Sequence, residues 1–286
     1  MVYDGHIHIS EGPQDRDDFK RRLQKADVAG AIVISLPPAS FAELARPRSN
    51  AKRLESLFYW VDGHSDLYPF YWIDPLEADA DEQVTTAVAQ GVSGFKVICN
   101  RFYPRDPQAI SLFKLIAQSA KPILFHSGIL WDAHDSARFN RPGEFEALLE
   151  VEGLRFSLAH LSWPWCDELV AVYGKFLNAH VRRPELTNEM FVDTTPGTPV
   201  IYRKDALTKF FCSDYDASNN VIFGTDCRVN DYNVEWARQW LERDRQILGD
   251  LQLDPAALER VFAHNLRRFV GLTKEEVSHQ LPRAGE

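Results

Sequence analysis

The chain's hydrophobic rhythm predicts a parallel α/β fold closed as a single (β/α)8 barrel of the TIM type, on three observations. Short apolar runs alternate with segments of helical period eight times along 286 residues. The runs are continuous rather than alternating, as suits strands covered on both faces of a parallel sheet. Length also fits, since such a barrel takes about 250 residues plus insertions, and no Gly/Ser linker, internal repeat or low-complexity stretch divides the chain. A doubly wound open sheet is the competing architecture, but no Gly-x-Gly-x-x-Gly follows the first strand.

Residues 2–9 form the first predicted strand. Residues 15–28 then carry Phe19, Leu23 and Ala26 at helical spacing, with acidic residues early and basic ones late, as the helix dipole favours. Residues 31–36 (AIVISL) make the second strand, stopped by Pro37 and Pro38. A helix over 49–62 precedes the third strand at 68–73, and a helix over 79–90 precedes the fourth at 94–98. Helix 107–119 leads into strand 122–128, and helix 142–151 into strand 154–160. Helix 167–183 leads into strand 190–195, and a short helix at 204–211 into the eighth strand at 220–226. The remainder, from about 232 to 286, reads as a helical tail of the same domain.

Composition narrows the function classes. A formal charge of -9 and a sequence pI near 5.5 give no support to nucleic-acid binding, although one pocket can still be locally basic. Cys99, Cys166, Cys212 and Cys227 show no metal or disulfide spacing, which fits a reducing compartment. No run approaches a membrane span, and no basic start precedes an apolar stretch, so a cytoplasmic protein without membrane partners is expected.

Polar residues with ligand chemistry end these strands repeatedly. In a strand, His6 and His8 share one face while Ile7 and Ile9 take the other, so two imidazoles can share a cation. Taken alone, such a pair reads equally well as polar strand surface. Lys96 lies late in strand four, His126 ends strand five, His160 ends strand six, Asp193 lies late in strand seven, and Asp226 ends strand eight. Chemistry in a barrel gathers at the C-terminal ends of its strands. Four histidines and an aspartate on that rim predict a metal site. Imidazoles with a carboxylate suit Zn²⁺ first, with Mn²⁺, Fe²⁺ or Co²⁺ as alternatives, and the lack of thiolate argues against a structural zinc. Cys227 points away from Asp226 and is read as structural. His64, His180 and His279 fall in helical or tail segments, His134 in a loop, and His264 at the last helical segment.

Here a family likeness enters. The ordered set His6-x-His8, Phe125-His126-Ser127-Gly128, Leu158-Ala159-His160-Leu161 and Phe223-Gly224-Thr225-Asp226 resembles the amidohydrolase superfamily. The run His264-Asn265-Leu266-Arg267-Arg268-Phe269 resembles the Asn-x-x-Arg-hydrophobic helix that ends many members. The nearest likeness is the amidohydrolase-related group of metal-dependent hydrolases, lactonases and aminocarboxymuconate-semialdehyde and resorcylate-type decarboxylases. That resemblance implies a barrel of the metal-dependent hydrolase type, with one divalent ion on His6, His8, His126 and Asp226. It also implies His160 beside the ion, orienting water or polarising substrate. Some relatives bridge two metals through a carboxylated lysine or a glutamate on strand four; one metal is the reading adopted here, with Lys96 a contact to substrate or to a ligand. Barrels of the polymerase-and-histidinol-phosphatase type also begin His-x-His, but end Asp-x-His where this chain has Asp226-Cys227-Arg228. Nucleases of the TatD kind usually carry a glutamate where Lys96 stands.

The expected chemistry is hydrolysis of a small ester, lactone or amide by a metal-activated water, whose pKa falls from about 15.7 towards about 7. Asp226 would carry the proton and His160 would polarise the carbonyl. The alternative is non-oxidative decarboxylation of a small carboxylic acid, an aromatic one included, on the same residues; a non-catalytic metal-binding protein ranks third. Arg101, Arg105 and Arg228 after strands four and eight offer an anion clamp, against the plainer reading of solvated surface. Trp131, Trp163 and Trp165 after strands five and six offer pocket walls, against packing. The partner expected is a small-molecule substrate; substrate identity and oligomeric state, a homo-oligomer included, stay open.

Overall fold

A computed structural model describes residues 1–272; His279 and the end of the predicted tail lie outside the described residues. The order is β1 (Tyr3–His8), α1 (Arg16–Lys25), β2 (Gly30–Ile34), α2 (Asn50–Val61), β3 (Leu67–Trp72), α3 (Ala80–Ala89), β4 (Gly94–Val97) and α4 (Pro107–Gln118). It continues with β5 (Ile123–Phe125), β6 (Arg155–Leu158), α5 (Cys166–Arg182), β7 (Glu189–Asp193), α6 (Val200–Phe211), β8 (Val221–Ile222) and β9 (Cys227–Arg228). Helices α7 (Val234–Asp250), α8 (Pro255–Glu259) and α9 (Asn265–Phe269) complete it.

The nine strands among the described residues pair in parallel in one curled sheet, ordered β8-β7-β6-β5-β4-β3-β2-β1-β9. The continuous apolar runs are the cause: every residue of β2, β3 and β4 is buried, so each strand needs cover on both faces. On the outer face, α1 presents Phe19 and Leu23, and α2 presents Leu54, Leu57 and Trp60. Asp15 and Ser49 start these helices by accepting the backbone N–H of Asp18 and Lys52. On the inner face, Ile32, Phe70, Leu124, Phe191 and Ile222 fill the curl. The far end of that core is plugged by Leu266 and Phe269 of α9, with the Phe269 ring 5.1 Å from that of Phe191. Asn265 explains why an Asn-x-x-Arg helix fits there: its amide donates to the carbonyls of Ser218 and Val221, while Arg268 pairs with Glu189.

Two expectations are corrected, at the eighth strand and the tail. The eighth strand is not continuous: residues 221–222 pair with β7 and residues 227–228 with β1. Between them the Asp4 carboxylate takes the Thr225 N–H, and Asp226 turns to φ 59°. The helix expected at 142–151 is present over residues 142–150, in 3₁₀ geometry. The tail is broken after α7, because Asp254 caps a new helix with Pro255 at its first turn, and a π-helical turn (Arg260–His264) precedes α9.

Candidate active site

The two histidines sit where β1 changes register between Asp4 and Ile7, pairing afterwards with β2 on one side and β9 on the other. Ile7 enters the apolar layer under the helices. His6 and His8 face the opposite way, with their Nε2 atoms 3.1 Å apart. Asp226 Oδ1 stands 3.9 Å from His6 Nε2 and 3.6 Å from His8 Nε2. Asp226 holds a left-handed backbone, a conformation costing about 1–2 kcal/mol for an L-residue. Two contacts fix it: its N–H donates to the His6 carbonyl (2.9 Å), and the neighbouring Thr225 is bound through both N–H and hydroxyl by Asp4. Asp4 also accepts from the His6 N–H and the Tyr232 hydroxyl, so one buried carboxylate sets the backbone of both ligand-bearing strands.

This donor set fits a divalent cation. Metal bonds of about 2.1 Å in tetrahedral arrangement put neighbouring ligand atoms about 3.4 Å apart, and the observed separations straddle that figure. Burial holds His6 and His8 well below the usual imidazole range, so both rings are neutral and offer lone pairs. Burial also pushes the Asp226 carboxyl up to about 7, against the pull of the Lys96 ammonium. Asp226 is 41% exposed, and it lines the cavity that opens over the cluster.

Around this cluster, Lys96 is buried with Nζ 3.4 Å from His6 Nε2, and burial lowers its amine to about 8. The His160 ring lies 5.3 Å from His6 and 4.8 Å from His126 between centroids. Burial keeps His160 neutral, pushed down to about 4. His160, Leu161 and Ser162 all adopt positive φ, a left-handed turn without glycine directly after β6. Such strain of about 1–2 kcal/mol per residue collects at functional sites. Gly197 packs against that turn, where a Cβ would lie 2.8 Å from the His160 Cβ. His126 lines the same space, but its Nε2 is 3.2 Å from the Ile129 carbonyl, and the tight donor cluster comprises His6, His8 and Asp226 without it.

A cavity of about 490 Å³ opens over these groups at the C-terminal ends of the strands. Of the residues singled out for substrate contact, Lys96, Arg228 and Trp163 line it, as does the exposed Trp131. Arg101 does not: it pairs with Asp74 at 2.6 Å. Arg105 pairs with Glu144, and Arg141 covers the Trp165 ring. His64 and His180 meet Asp66 and Asn188, and the His134 N–H donates to Asp132, all without contact to the cluster. Two contributors were missed from sequence, Asp4 and the Trp72–Phe41 pair, and a third, Asp193, was placed at its strand end without a role. Asp193 binds His6 Nδ1 at 2.7 Å, Asp4 is the hub described above, and Trp72 with Phe41 forms an aromatic wall whose Trp72 ring lies 5.6 Å from that of His8. The signal for Asp193 was its place at the end of an apolar strand; nothing in sequence named its partner.

Gly224 shows how tightly this floor is packed, since a Cβ there would lie 2.3 Å from Thr195 Oγ1 and 3.1 Å from His6 Cβ. Gly224→Ala is expected to cost about 1–3 kcal/mol by overpacking and to weaken metal retention by displacing His6. Thermal melting and chelator competition check both, and unchanged values in each would contradict the packing.

Known structures agree with this architecture. A probable 2-pyrone-4,6-dicarboxylic acid hydrolase from Acinetobacter baumannii, with citric acid bound, superposes at a TM-score of 0.64 and 13% identity, covering 95% of this chain and 99% of its own. A 2,6-dihydroxybenzoate decarboxylase from Rhizobium gives 0.63 at 15% identity, covering 94% and 98%. An amidohydrolase from Burkholderia multivorans with bound zinc gives 0.62 at 11%, covering 96% and 100%. The chain shares the fold of these three proteins. No protein-family profile and no curated protein matches the sequence. Within that fold, hydrolases and a decarboxylase are both represented among the neighbours, so fold alone does not choose a reaction.

Proposed function

We propose that the chain is a metal-dependent hydrolase acting on a small ester, lactone or amide. The single observation that carries this is the His6–His8–Asp226 donor cluster at the floor of a cavity large enough for a small organic molecule. His6, His8 and Asp226 would hold one divalent ion, Zn²⁺ first and Mn²⁺, Fe²⁺ or Co²⁺ as alternatives, with His126 the fourth protein donor from the same rim. Such an ion supplies Lewis acidity and makes a water acidic enough to be a nucleophile at neutral pH. Asp226 Oδ2 has no hydrogen-bond partner among the described residues, which leaves it to take the proton of the attacking water and pass it to the leaving group. Neutral His160 donates an N–H to the substrate carbonyl. The rings of Trp72, Phe41 and Trp163 line the cavity and offer apolar surface to the body of the substrate. The closed (β/α)8 barrel belongs to this reading, supported by residues 221–228 pairing with both β7 and β1. So does a reducing, cytoplasmic setting, supported by four free cysteines.

A second reading, non-oxidative decarboxylation, is favoured by one observation. Arg228 stands cross-strand from His8, lines the cavity and has no carboxylate partner among the described residues, while Lys96 supplies another cation nearby. A substrate bearing a carboxylate fits both, in keeping with the dicarboxylic acid and dihydroxybenzoate named for two structural neighbours. Arg228→Ala is expected to raise KM for carboxylate-bearing compounds by about 10–100-fold and to spare kcat, as loss of a charge-assisted hydrogen bond predicts. Equal KM values in wild type and variant would remove Arg228 from the substrate site. The reaction itself is tested by incubating the metal-loaded protein with lactones, esters, amides and aromatic carboxylates. Hydrolytic products are expected; carbon dioxide release without any hydrolytic product would establish the second reading instead.

A further inference from the structure

We propose that Asp193 is a positioning residue that locks His6 in one tautomer, Nδ1–H, so that its bare Nε2 faces His8 and Asp226. Asp193 Oδ2 lies 2.7 Å from His6 Nδ1, and both side chains are buried from solvent. The other carboxylate oxygen accepts the Thr195 N–H at 2.5 Å, so the carboxylate is held at both ends and cannot turn away. With the proton on Nε2, the Nδ1 lone pair would face that carboxylate at hydrogen-bond distance with no hydrogen between them. The same proton would point at the Lys96 ammonium, 3.4 Å away, to which a bare Nε2 is instead an acceptor.

The strand end that carries Asp193 is itself clamped. Arg203, fully buried, donates to the Thr194 carbonyl and forks both oxygens of Asp244 from α7 at 2.9 and 2.6 Å. A run of contacts therefore leads from α7 through α6 and the end of β7 to the imidazole. A partner on the far nitrogen of a ligating histidine fixes its tautomer and ring orientation and strengthens it as a ligand.

The tautomer can be read without metal, whereas the consequence for affinity rests on the metal reading proposed above. The test is ¹⁵N NMR of the metal-free full-length chain with labelled histidine, His6 being assigned by His6→Gln, together with Co²⁺ and Zn²⁺ dissociation constants from chelator competition. Wild type is expected to show His6 protonated at Nδ1. Asp193→Ala is expected to release the tautomer and weaken metal binding by about 10–100-fold, with Asp193→Asn, which keeps an acceptor, falling between. A purely structural role would lower the melting temperature but leave metal affinity and tautomer unchanged below the melt, which overturns the proposal. Nε2–H on His6 in the wild-type chain overturns it whether or not the variants fold. Nδ1–H in a wild-type chain that binds neither metal supports the lock and defeats the metal reading.

Discussion

Asp226→Ala is expected to lower turnover by about 10³-fold, within the range general acid–base groups supply, and to reduce metal content as well. Both losses follow from its place: one oxygen stands within 4 Å of the two imidazole nitrogens, and the other has no hydrogen-bond partner among the described residues. Asp226→Asn separates the two roles, because an amide oxygen can still approach a cation but cannot carry a proton at neutral pH. Retained metal with lost turnover is the expected pattern for the asparagine variant. Full turnover in either variant, once a substrate is in hand, would remove Asp226 from the chemistry. The effect on stability should be small or favourable, since the alanine variant relieves a carboxylate from a crowded floor where burial already penalises its charge.

The largest stability effect is expected at Arg203 and Asp244. The pair is fully desolvated, bidentate, and the guanidinium also lies 5.0 Å from the Trp240 ring centroid. Removing one partner strands the other charge in the protein interior, which costs about 3–5 kcal/mol. Arg203→Met or Asp244→Leu alone should therefore lower the melting temperature by about 10 °C. The double replacement should recover most of that loss, because an apolar pair of similar volume avoids the desolvation cost that two buried ions carry. A thermal melt of the three variants decides it, and single variants that melt with the wild type would show the charges to be reached by water.

The fold was largely legible because its strands are buried on both faces. Runs such as residues 31–36 and 68–73 are apolar throughout, and helical spacing between them left little else for the chain to do. What sequence could not show was the seam at residues 221–228. There the geometry depends on Asp4, more than two hundred positions away, pulling Thr225 inward and leaving Asp226 in a left-handed turn. The same distinction holds at the site. His6, His8 and Asp226 were readable because each is a polar residue at the end of an apolar strand. The link from His6 to Asp193 was not, since strand ends in a curled parallel sheet meet across the interior and local pattern says nothing of who faces whom. Arg101 illustrates the converse. A loop arginine after strand four looked free in sequence, and a carboxylate from the preceding loop, Asp74, takes it.

The most direct test of the central claim is the divalent metal bound per chain, measured by elemental analysis after loading and removal of free ion, in wild type and in His8→Ala. His8 is chosen because it approaches both other donors of the cluster, and it is partly open to the cavity, so its loss should not unfold the chain. The account predicts one ion per chain in the wild type and almost none in the variant. A wild-type chain that holds no divalent ion, or a variant that holds as much as the wild type, would contradict it.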